Sequence, residues 1–61
     1  MDEKIYLTEY DKDGVIYAGP RIKARTIKEA ERKARRLSLM VSTDIRVIGR
    51  LIYELENFEM N

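Results

Sequence analysis

Sixty-one residues give room for one domain with one modest hydrophobic core, close to the size at which burial only just offsets chain entropy. Twelve Lys or Arg against eleven Asp or Glu leave a net charge of +1, and the chain contains neither Cys nor His. Disulfide staples, thiolate metal sites, and the commonest general base and metal ligand are thereby excluded.

The first strand is expected over Lys4 to Tyr10 (KIYLTEY), which alternates, with Ile5 and Leu7 on one face and Tyr6, Thr8 and Tyr10 on the other. Asp13-Gly14 then marks a hairpin, because Gly14 accepts the positive φ that side chains resist. Val15 to Arg25 reads as the second strand. Ile16, Ala18, Ile22 and Ala24 share one parity, and Val15, Tyr17, Arg21, Lys23 and Arg25 share the other. Gly19-Pro20 interrupts this run, and a proline without an N–H for the ladder belongs at an edge or a bulge.

A helix is expected over Thr26 to Leu37 (TIKEAERKARRL). Thr26 is a natural N-cap, and Glu29 completes a T-x-x-E capping box. Ile27, Ala30, Ala34 and Leu37 recur at helical spacing and form a narrow inward stripe, whose two alanines allow close approach to a sheet. Lys28, Arg32, Lys33, Arg35 and Arg36 fall on the sides and outer face. Glu29 with Lys33 and Glu31 with Arg35 have the i, i+4 spacing of helical ion pairs.

Ser38 to Thr43 is read as a connector in which Leu39, Met40 and Val41 close the edge of the core. Asp44 to Glu56 is the third extended run. Ile45, Val47, Leu51, Tyr53 and Leu55 lie on one face, and Arg46, Ile48, Arg50, Ile52 and Glu54 on the other. A bulge at Gly49 would flip the parity beyond it. Residues 56–61 read as a frayed acidic tail.

The expected fold is therefore α+β: a single β-β-α-β domain over residues 1–61, with one helix on one face of a three-stranded antiparallel sheet. A right-handed crossover places the third strand beside the first, in the order 2-1-3, with the second strand at an edge. The open face would carry Tyr6, Thr8, Tyr10, Tyr17, Ile48 and Ile52 with Arg21, Lys23, Arg46 and Arg50, an apolar and cationic contact surface.

Charge is polarised along the chain, +6 in residues 21–36 against −5 elsewhere, which favours steered encounter with a charged partner. Glu9-x-Asp11-x-Asp13-Gly14 has the alternating carboxylates of a calcium loop, but Pro20 holds the position of the bidentate Glu, so an ordinary turn is favoured and no cofactor or metal is expected. Tyrosines interleaved with Arg and Lys suit stacking of single-stranded nucleic acid, against the plainer reading of cross-strand pairs on a half-exposed sheet. Ser38 and Ser42 are the only serines and have no base to activate them, so no enzyme is expected. The acidic N-terminus lacks the apolar run of a signal peptide, and no stretch approaches the roughly 20 apolar residues of a membrane span. A cytoplasmic protein without a membrane partner is the expectation.

Asp13-Gly14, Ile22-Lys23-Ala24 and Thr26-x-x-Glu29-Ala30-x-x-x-Ala34 together resemble the small β-β-α-β proteins of bacteriophages and mobile elements, some of which are anti-CRISPR or other anti-defence inhibitors. The resemblance implies a stoichiometric inhibitor that binds a host protein or ribonucleoprotein complex in the host cytoplasm. Tyr6, Tyr10, Tyr17, Arg21, Lys23, Lys28, Arg32, Arg35 and Arg36 are the residues expected to contact the partner. Two alternatives stand beside it: nucleic-acid or nucleotide binding by the basic strip 21–36, and a homo-oligomer joined through the open sheet face or an edge strand.

Overall fold

The computed structural model describes residues 2–52. Its elements are β1 (Lys4–Lys12), β2 (Val15–Ala18), β3 (Ile22–Ala24), α1 (Ile27–Val41) and β4 (Ile45–Arg50). All strand pairs are antiparallel and all involve β1. The fold is the expected α+β domain, one helix on an antiparallel sheet, but the sheet has four strands where three were predicted. Readings that fall on Tyr53 to Leu55 and on the acidic tail at 56–61 lie outside the described residues.

The extra strand arises at Gly19-Pro20, which divides the second predicted strand. Tyr10 pairs with both Tyr17 and Ile45, and Tyr6 with both Ile22 and Arg50, so β2 and β3 share one edge of β1 while β4 takes the other. The expected 2-1-3 order is thus preserved, with β2 and β3 together in the place of the second strand. Asp13 and Gly14, at φ 53° and 78°, join Lys12 to Val15 in a tight turn of the primed kind that suits strand twist.

The division changes the register. Glu9 faces Ala18 and Tyr10 faces Tyr17, whereas beyond Gly19-Pro20-Arg21 it is Tyr6 that faces Ile22 and Lys4 that faces Ala24. One extra residue on this edge transfers Ile22 and Ala24 to the face of Tyr6, Thr8 and Tyr10. That face is the one α1 covers. The expected assignment is therefore corrected: Tyr6 and Thr8 are buried, and Ile5 and Leu7 belong to the open face with Ile16 and Ala18.

β4 carries a second irregularity at the same level, where Leu7 faces Gly49 and Thr8 faces Val47, leaving Ile48 as the additional residue. Arg50 rather than Gly49 then lies opposite Tyr6, the parity change foreseen for a bulge next to Gly49.

The core consists of Tyr6, Ile22, Ala24, Ala30, Ala34 and Ile45, with Tyr10, Leu37 and Val47 packed around it. Ala30 and Ala34 are the buried helix positions, as their spacing predicts. Ile27, on the first turn of the helix, is half exposed and does not join them. Thr26 Oγ1 accepts the Glu29 N–H at 3.1 Å, as a capping threonine should, while the Glu29 carboxylate accepts the N–H of Arg25, one residue before the cap, at 2.7 Å. This bond holds the Glu29 carboxyl below its ordinary pKa.

The helix runs one turn further than predicted. Ser42 ends it in the left-handed region at φ 55°, with its N–H on the Ser38 carbonyl. Leu39, Met40 and Val41 consequently lie on an exposed last turn, at 79%, 74% and 55% accessibility, and do not close the core. Ser38 closes it instead: its hydroxyl donates to the Ala34 carbonyl and accepts the Ile45 N–H, both at 2.8 Å, fastening the helix end to the start of β4.

Candidate interaction surface

Three surfaces remain after the core is formed, and the nine residues expected at a contact divide among them. Tyr6, 5% exposed, is a core residue. Tyr10 and Tyr17 form a cross-strand pair, their rings stacked 5.5 Å apart on the helix side of the sheet. Arg21 and Lys23 flank the sheet edge at β3, and Lys28, Arg32, Arg35 and Arg36 are exposed along α1.

The first surface is an apolar shelf. β2 runs past the end of α1, so Val15 and Tyr17, which share the helix side with Lys12 and Tyr10, have no helix above them. At the last turn of α1 lies an open groove of about 420 Å³ lined by Tyr10, Lys12, Pro20, Leu37, Val41, Thr43 and Ile45. Val15, Tyr17, Met40 and Val41 are all at least 44% exposed. Only the aromatic pair was legible in the sequence. The contribution of Leu37 and Val41 depends on the extra helical turn, which no glycine cap announced.

The second surface is the open sheet face. Arg46 donates from its two terminal nitrogens to Glu9 Oε2 at 2.9 Å and Asp11 Oδ2 at 3.0 Å, and these bonds raise its already high pKa. Two carboxylates of the calcium-like sequence are thereby committed to a guanidinium. Beside them Leu7, Ile16, Ala18 and Ile48 border a shallow groove of about 290 Å³. Tyr17 also lines this groove, but the register shift at Gly19-Pro20 puts the helix over the face of Tyr6 and Tyr10, so these two do not join it in the expected tyrosine platform.

The third surface lies where α1 meets β3. Arg21, Ile22, Lys23, Lys33, Arg36 and Leu37 line a groove of about 370 Å³. Lys33 Nζ donates to the Lys23 carbonyl at 2.6 Å, reaching to the strand instead of forming the expected pair with Glu29. The opposite flank of the helix is mixed in charge: Glu31 and Arg35 share a groove with Asp44 and Arg46. Among the described residues no cluster of three acidic side chains is placed to hold a metal ion, and no helix is long and apolar enough to cross a membrane.

The chain matches no protein-family model, no curated protein and no solved structure.

Proposed function

We propose that this chain is a non-enzymatic binding module that acts through protein–protein contacts, with the Tyr10–Tyr17 shelf as its contact surface. The observation that carries this reading is the stacked Tyr10–Tyr17 pair, of which Tyr10 lines an open apolar groove together with the exposed Val41. Interface centres favour tyrosine in this setting: a large, stiff side chain with an apolar body and a polar tip. Among the described residues three of the six buried apolar ones are alanines, while the large apolar side chains Val15, Tyr17, Met40 and Val41 are left exposed and would gain from burial against a partner. The narrower form of the proposal is a stoichiometric inhibitor of a bacterial defence complex, supported by the resemblance carried by the Asp13-Gly14 turn and the Thr26 helix.

The experiment is affinity capture from nuclease-treated bacterial lysate with the wild-type chain and with Val41→Asp and Tyr17→Ala variants, read by mass spectrometry. The proposal expects a protein retained by the wild type at fixed stoichiometry and lost with both variants. Retention unchanged by the variants would remove the shelf from the contact. A chain that captures only itself, with a mass that rises with concentration, would replace the proposal with self-association.

A further inference from the structure

β2 is a strand of four residues, Val15-Ile16-Tyr17-Ala18, and all four are exposed. Val15, Ile16 and Tyr17 are 50%, 62% and 44% accessible, although they point alternately to the two faces of the sheet. A strand that is apolar on both faces and open on both is a template for pairing with another chain. The guards that edge strands commonly carry are missing from its sequence, since Val15 to Ala18 holds neither a charge nor a proline.

The direction of its backbone groups follows from the turn and the register. Lys12 pairs with Val15 across the two-residue Asp13-Gly14 loop, and along antiparallel strands hydrogen-bonded pairs alternate with unbonded ones. Val15 and Tyr17 therefore turn their N–H and C=O groups to β1. Gly19 continues the alternation, its N–H on the Thr8 carbonyl at 2.9 Å. Ile16 and Ala18 fall between these positions and present their N–H and C=O groups on the outer side of β2. Among the described residues these outward groups make no hydrogen bond.

The outward groups are self-complementary. A twofold axis through Tyr17 sets a second β2 antiparallel to the first, so that Ile16 of each copy exchanges N–H···O=C bonds with Ala18 of the other and all the outward groups are satisfied. Tyr17 then meets its own copy on the helix side of the sheet, extending the Tyr10–Tyr17 stack, and Ile16 meets Ala18 on the open side. Asp13 comes opposite Arg21, so like charges do not meet. From this geometry we infer that the outer edge of β2 pairs with the same edge of a second copy of this chain, joining two sheets into one. Four residues a side fall well below the roughly 20–30 of a standard interface, so main-chain bonds carry the affinity and the dimer is weak. The inference is independent of the shelf proposal: it rests on the backbone of β2, and the twofold leaves both shelves on one face of the joined sheet.

The test is analytical ultracentrifugation of the full chain from about 20 μM to about 1 mM, with amide hydrogen exchange measured at both ends of the range. The average mass rises from monomer toward dimer with a Kd on the order of 0.1–1 mM. The Ile16 and Ala18 amides slow on concentration, whereas the Val15 and Tyr17 amides, bonded to β1, exchange alike at both ends. Ile16→Lys, at an exposed position, weakens association at least about tenfold, and Leu39→Gln, at an exposed position on α1, leaves it unchanged. Circular dichroism and melting confirm that each variant folds. A monomer at the highest concentration, a dimer in which Ile16 and Ala18 exchange as fast as in the monomer, or association indifferent to Ile16→Lys would each overturn the inference. So would Ile16 and Ala18 amides already slow in the dilute monomer, which would show that another part of the chain holds this edge.

Discussion

Gly19 stands against Thr8 with no room for a side chain: the Gly19 N–H donates to the Thr8 carbonyl at 2.9 Å, and a methyl group on Gly19 would collide with Thr8 Oγ1. That hydroxyl is buried and donates to the Pro20 carbonyl at 2.6 Å, so it has no free space to move into. Gly19→Ala is expected to destabilise the fold by about 1–3 kcal/mol, and Thr8→Ala by about 1–2 kcal/mol through loss of the hydrogen bond. In the double variant the collision disappears, so the combined cost is smaller than the sum by about 1 kcal/mol. Denaturant melts of the four proteins measure this coupling, and strict additivity would show that the close approach does not fix the β2–β3 break.

That break also decides how much of the fold was legible. The helix start was readable because Thr26 and Glu29 announce it at the level of single residues, and the alternation of β1 was readable because it is local. The face of β1 that meets the helix was not. Both faces carry large apolar side chains, and the choice rests on the single extra residue in Gly19-Pro20-Arg21 that sets Ile22 opposite Tyr6 rather than Ile5. The sorting of cations into the α1–β3 groove was equally hidden, since it depends on the rotation of α1 over the sheet, which turns Lys33 toward β3 and Arg35 toward β4.

The N-cap carries a pH dependence of definite sign. The Arg25 N–H favours the charged form of Glu29, with Lys33, Arg25 and Arg32 adding to it. A depressed folded pKa means stability that is present above the ordinary Glu value, 4.5, and lost as pH falls through the folded value. Melting temperature should decline in this acidic range for the wild type and decline less for Glu29→Gln. Thr26→Ala should cost about 1 kcal/mol at neutral pH.

The C-terminal end of α1 offers a gain and a loss four residues apart. Ser42 adopts φ 55°, where a side chain is strained, so Ser42→Gly should stabilise by about 0.5–1 kcal/mol and raise the melting temperature by a few degrees. Ser38→Ala removes the acceptor of the Ile45 N–H and should destabilise by about 1–2 kcal/mol. A neutral Ser38→Ala would mean that the helix end is not fastened through this hydroxyl.

Packing of α1 against the sheet should be intolerant at the alanines and tolerant elsewhere. Ala34 is 2% exposed beneath the helix, and Ala34→Leu should cost about 1–3 kcal/mol by forcing the layers apart. Ile27, at 50% exposure, and Leu39, at 79%, should each accept a polar residue with little loss. Thermal melts of these three variants separate the inward stripe from the apolar residues that happen to share its helix.

The most direct measurement of the central claim is equilibrium binding of the captured partner to the wild-type chain and to Val41→Asp, an exposed position whose change leaves the core intact. Contact through the shelf predicts saturable one-to-one binding to the wild type and at least about tenfold weaker binding to the variant, a difference of about 1.4 kcal/mol. Equal affinity for a variant with an unchanged melting temperature would contradict it.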